Sequence, residues 1–153
     1  MTNVSRFDQF MTRRADYSEA FTSKVARIGN DVAGRCGLTF RHIKSMNYSV
    51  AQVLVVSLNG RDDKTFRVYV SSKGPLFAIV PFEKRQDGWH ASRESWASDV
   101  AVSRSIDCVR AVLAVEGLEE VAESHWGQGV PGMKTDMDGA PATVFDVLFS
   151  EIL

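Results

Sequence analysis

At 153 residues, 44% hydrophobic and 24% charged, the chain has the make-up of one globular domain spanning 1–153, and chain-wide disorder is excluded. No apolar run approaches the roughly 18 residues of a membrane span, and residues 1–6 lack the apolar core of a secretory signal, so a cytoplasmic protein is expected. The net charge of −1 conceals an asymmetry, with residues 1–98 carrying +6 and residues 99–153 carrying −7.

Val4, Phe7, Phe10 and Met11 recur at helical spacing, so residues 4–14 read as a short amphipathic helix or a loosely packed arm within 1–15. Asp16 and Glu19 then stand at the spacing of a reciprocal cap. Behind them Phe21, Val25, Ile28, Val32 and Cys36 form one apolar stripe of a longer helix, which Gly37 closes. Residues 39–44 alternate weakly, as an edge strand or an extended lead-in.

The stretch 47–82 carries the strongest pattern: strands over 48–58, 65–71 and 76–82, joined by the turn-rich segments 59–64 and 72–75. Connections this short make neighbours antiparallel, hence a β-meander. In the first strand Val53 and Val55 oppose Leu54, Val56 and Leu58, so burial on both faces is expected. In the second, Phe66, Val68 and Val70 face the core while Arg67, Tyr69 and Ser71 face outward or toward a groove. In the third, Phe77 and Ile79 oppose Leu76, Ala78 and Val80, and Pro81 marks an edge or an exit. Val55, Phe66, Val68 and Ile106 are the expected core.

Residues 83–98 are polar and irregular, which predicts a loop. A helix over 99–116 follows, its stripe made by Val102, Ile106, Val109 and Leu113, widened by Val112 and ended by Gly117. Residues 119–123 are compatible with helix or strand. Four glycines and Pro131 make 124–140 a long loop by composition, and loops of that length are more often functional than decorative. Residues 141–153 read as a final helix opened by Pro141, with a strand over 143–149 as the alternative.

Chemistry-bearing motifs are weak. Gly127, Gly129 and Gly132 have the spacing of a dinucleotide-binding turn, but that turn must follow a strand and open a helix, and Pro131 removes one of its N–H donors. Asp136 and Asp138 begin a calcium-loop spacing without its remaining ligands. His42, His90 and His125 share no metal-ligand spacing. Cys36 and Cys108 are too few for a disulfide framework and are expected to be reduced and structural. No metal or cofactor is expected, and an enzyme is the less favoured reading.

Tryptophan and acid are the more informative residues. Trp89, Trp96 and Trp126 all fall in polar connections, where an indole either pins a loop or presents a rigid contact surface. The acidic final third either packs beside the basic first part or steers a basic partner. The candidate contact residues are therefore Trp89, His90, Arg93 and Trp96 on one loop, and Glu119, Glu120, Glu123, Trp126, Asp136 and Asp138 as an acidic rim.

The expected fold is α+β: an N-terminal helix, an antiparallel meander of three or four strands, two further helices and the Gly-rich loop. This element order resembles that of secretion chaperones and small bacterial immunity proteins, an architectural resemblance that implies a stoichiometric protein binder without a cofactor. The alternatives are a small hydrolase or ligand-binding domain with a cleft beside 124–140, and a structural homodimer. No nucleic-acid or membrane partner is expected.

Overall fold

In the computed structural model, which describes residues 7–44, 50–58, 64–91, 98–135 and 139–150, the chain opens with one helical turn, α1 (Asp8–Met11). Phe7, Phe10 and Met11 are buried, so this turn is packed and not an arm. Helix α2 (Glu19–Cys36) begins two residues later than the Asp16 cap would place it. Ser18 is the cap, its hydroxyl accepting the Phe21 N–H, while Asp16 accepts the N–H of Ser18 and so fixes the cap itself. Those hydrogen bonds hold the Asp16 carboxyl below the usual carboxylate range. Gly37 ends α2 in the left-handed conformation, as its position predicts.

The sheet follows as β1 (Thr39–Ile43), β2 (Ala51–Ser57), β3 (Lys64–Ser71), β4 (Leu76–Arg85) and β5 (Gly88–Ala91), every neighbour antiparallel and in sequence order. The three predicted strands are present, and the lead-in 39–44 supplies the edge strand β1. What sequence composition hid is β5. Residues 83–91 are a hairpin and not a loop: β4 runs on past Pro81 and turns back through Gln86-Asp87 into β5, with Gly88 at φ +124°. Val121 donates its N–H to the Phe77 carbonyl, so odd positions of β4 aim their backbone groups at the outer edge. The N–H that Pro81 lacks therefore falls on that edge, between the short parallel strand β6 (Glu119–Glu120), which pairs with Leu76 and Phe77, and β5.

Helix α3 (Val100–Val115) is capped by Asp99, which accepts from Ala101 and Val102. Its predicted stripe, together with that of α2, covers one face of the sheet through Leu54, Val56, Phe66, Val68 and Ile79, all essentially inaccessible to solvent. Gly29 permits the close approach of α2 to β1, since a Cβ there would stand 2.6 Å from the Phe40 ring. Two ion pairs tie the basic first part to the acidic last part, Arg27 to Glu116 at 2.8 Å and Lys64 to Asp99 at 3.0 Å. The expectation that the two regions pack together is met at these two points.

Cys36 ends α2, Cys108 lies on α3, and the helix pairing joins them in a disulfide with Cα atoms 5.9 Å apart. The expectation of two reduced thiols is overturned: 72 positions separate them in sequence, and only the packing of α2 on α3 brings them together.

The last third departs most from expectation. The described part of 124–140 is not a structureless loop but a 3-10 turn (Glu123–His125) and β7 (Gly129–Lys134), paired antiparallel with β8 (Pro141–Thr143). Pro141 thus starts a strand and not a helix. Helical backbone begins only at Val144, and a π-helical segment (Asp146–Ser150) follows. Thr143 and Asp146 cap it reciprocally, each accepting the other's N–H. Val147, Leu148 and Phe149 join Phe7, Phe10, Leu76 and Ala78 in a second apolar cluster on the other face of the sheet.

Candidate functional site

That second cluster covers only one end of its face. Ala51, Leu76 and Ala78 are buried beneath it, whereas Val53, Val55, Val80 and Phe82, further along the same face, are half-exposed. Val55, expected in the core, therefore lines a groove of about 370 Å³ with Arg41, Ser57, Arg67, Phe82 and Trp89. The alternation that buries Leu54 and Val56 against the helices turns Val55 to the opposite side.

The register builds this groove. Val55 pairs with Arg67 and with Arg41, and Arg67 pairs with Val80, so these side chains share one face. Trp89 pairs with Lys84, two residues from Phe82, and joins them. The Arg67 guanidinium lies 4.1 Å from the centroid of the Phe82 ring, a cation–π contact that holds a long side chain flat against the sheet. Trp89 is 41% exposed. The groove therefore offers an indole, a stacked guanidinium, a valine and a second arginine, with no carboxylate among the described residues that line it.

The sequence-predicted residues are placed separately. Trp89 stands on the groove face. His90, its neighbour in the strand, points to the opposite face and bonds Asp87 at 2.7 Å. Trp126 is a loop anchor: its indole N–H donates to the Val121 carbonyl and its ring packs 5.2 Å from that of Phe145. Glu120 receives both Arg110 Nε and Nη2, at 2.8 and 3.2 Å, and is engaged within the fold. Glu119 is exposed and Glu123 half-exposed. Arg93, Trp96, Asp136 and Asp138 lie outside the described residues. Of the groove, Arg67 and the outward side of its strand were legible in the sequence, while Arg41 and Phe82 were not, because only the register brings them to Trp89.

Comparison with family profiles, curated proteins and solved structures finds no match. The geometry alone carries the reading.

Other constellations supply less. Among the described residues no three His, Cys, Asp or Glu side chains gather as a metal site. His125 packs edge-on against Phe7, ring centroids 5.5 Å apart. Its Nδ1 and the Gln128 Oε1 are buried without a hydrogen-bond partner among the described residues. The glycines at 127, 129 and 132 lead into and form strand β7 and open no helix. No described helix is long and apolar enough to cross a membrane.

Proposed function

We propose that this chain is a protein-binding domain that acts stoichiometrically, of the immunity, inhibitor or chaperone-adaptor type, and that its contact surface is the half-open sheet face around Trp89. One observation carries the reading: an indole left 41% exposed beside the Arg67–Phe82 stack, in a groove that the second core cluster leaves uncovered. Tryptophan and arginine are the residue types that dominate binding energy when a partner desolvates them. Edge strand β1 borders the groove and pairs with β2 alone among the described strands, so an extended segment of the partner has a backbone to pair with there.

The charge favours a partner with acidic groups at the contact, since Arg41 and Arg67 face outward with no carboxylate among the described residues of the groove. This reverses the sign expected from the acidic final third. Of the acidic rim expected to steer a basic partner, Glu120 is held by Arg110 within the fold, and Asp136 and Asp138 lie outside the described residues. Two copies meeting groove to groove would oppose like charges, so we favour a different protein over a homodimer.

The cytoplasmic location expected from the sequence rested partly on reduced thiols. With Cys36 bonded to Cys108, we propose a compartment in which that bond persists, because reducing cytosol opens most such bridges. The alternative of a ligand cleft beside 124–140 finds a depression of about 410 Å³ along β7, where among the described residues Lys134 is the one titratable side chain in the lining, which by itself makes no acid–base pair.

A photo-crosslinking residue in place of Trp89, with the same residue at Arg104 on α3 as control, tests the surface. The partner is expected to crosslink at 89 and not at 104. Trp89→Ala should then weaken that partner's binding by about 2 kcal/mol, roughly 30-fold in Kd. Unchanged affinity in Trp89→Ala would remove the groove from the interface.

A further inference from the structure

Away from the groove, the turn between β3 and β4 meets the start of α2 at an open cavity of about 550 Å³. Among the described residues four cations line it, Arg13, Arg14, Lys24 and Lys73, against one carboxylate, Asp16, which is already bonded to the Ser18 N–H. None of the four has a carboxylate partner among the described residues, whereas Arg27, Lys64 and Arg110 all do. Arg13 stacks on the Phe10 ring at 4.8 Å, which fixes its stem and leaves the guanidinium edge free to donate.

Lys73 is the unusual member. It is 8% exposed, and its ammonium meets one acceptor, the Met11 carbonyl at 3.2 Å. An ammonium has three protons to donate, and a buried charge ordinarily meets an opposite charge. The hydroxyls nearby do not supply one. Ser71 donates to the Leu148 carbonyl and Ser72 to the Val50 carbonyl, both at 2.6 Å.

Arg13, Arg14 and Lys73 also line a second, mainly apolar cavity of about 500 Å³ with Met11, Tyr17 and Met133. The two spaces share their cationic wall. One ligand chemistry fits both: an anionic head that the cations neutralise, attached to a compact apolar body that Tyr17 and the methionines cover.

We propose that this paired cavity binds a small organic anion, a phosphate or carboxylate carried on an aromatic or short aliphatic body, at a site separate from the Trp89 groove. The head sits against Arg13, Arg14 and Lys73, and the body lies between Tyr17 and Met133. The site requires nothing of the protein-binding reading and stands or falls independently of it.

Calorimetric titration of the whole, disulfide-bonded chain with phenyl phosphate, benzoate and inorganic phosphate tests the proposal. Phenyl phosphate or benzoate should bind saturably, at least about tenfold tighter than inorganic phosphate, because only they fill the apolar half. Whichever of the two binds tighter identifies the head group. Arg13→Ala with Arg14→Ala should weaken that binding about tenfold or more while leaving the unfolding transition in place, since both side chains are exposed. Lys73→Met should abolish the binding, and the arginine pair serves alone if that variant fails to fold. No saturable binding of any probe at millimolar concentration, inorganic phosphate binding as tightly as the organic anions, or unaltered binding by the arginine pair would each overturn the proposal.

Discussion

Lys73 shows what one side chain costs when the fold removes its water. Burial lowers its pKa from the ordinary 10.5, so between the folded value and 10.5 the unfolded chain holds the proton that the folded chain has released. Stability contributed by this residue must therefore rise with pH across that window. Tyr17, half-exposed in the same cavity beside Arg13 and Arg14, works the other way: partial loss of water raises its pKa above 10.0, a direction that lowers stability as the unfolded phenol ionises first and that solvent largely screens. The two are separated by comparing the protein with Lys73→Met in urea unfolding at increasing alkaline pH. The protein should gain on the variant as pH rises toward 10.5, and a constant difference would mean that water reaches the ammonium. The Lys73 burial is not legible in the sequence, where Ser72-Lys73-Gly74-Pro75 reads as an exposed turn. It arises because α1 docks on that turn. A Cβ at Gly74 would collide with the Phe10 ring, and only glycine lets the two meet.

Among the elements, the π-helical segment depends most on a single local device. Thr143 and Asp146 satisfy each other's backbone N–H at 3.0 and 3.3 Å, and this reciprocal cap turns the chain from β8 into helix. Thr143→Ala should cost about 1 kcal/mol in denaturant unfolding, the usual size of a lost cap. The same signal, threonine followed three residues later by an acid, stands in the sequence, while Pro141, whose fixed φ suits a first helical position, suits a strand end as well. The stripes of α2 and α3 were legible because four or five apolar positions at helical spacing leave no other solution. Strands β2 to β4 were legible through alternation and short turns. Hairpin β4–β5 was not, since its Gln86-Asp87 turn follows the charged run Glu83-Lys84-Arg85 and carries no apolar alternation to announce a strand. Val55 was misassigned because alternation shows that a strand has two faces but not how far a distant C-terminal segment extends over the second.

For the whole molecule, the Cys36–Cys108 bond is the covalent constraint. The two residues are 72 apart in sequence, and closing a loop of that length removes denatured-state entropy worth about 4 kcal/mol in the chain model, with 2–4 kcal/mol typical in practice. Replacing both cysteines by serine should lower the unfolding free energy by that typical amount, read from the urea midpoint of the oxidised protein against the variant. Nothing in the spacing of two cysteines foretells the pairing, which exists only after α2 and α3 have packed. The charge asymmetry was legible as a number and partly as structure, because Arg27–Glu116 and Lys64–Asp99 bridge the two regions while the groove keeps its own cations outward.

Strands β1 to β5 all lie between the two bridged cysteines, so the sheet is carried on a covalent macrocycle, with α1, most of α2 and the C-terminal elements as branches outside it. A protease that cuts once within that ring opens the backbone without releasing a fragment. The nicked protein would migrate as one species without reductant and as two with it, and the Trp89 groove would remain on a single covalent body.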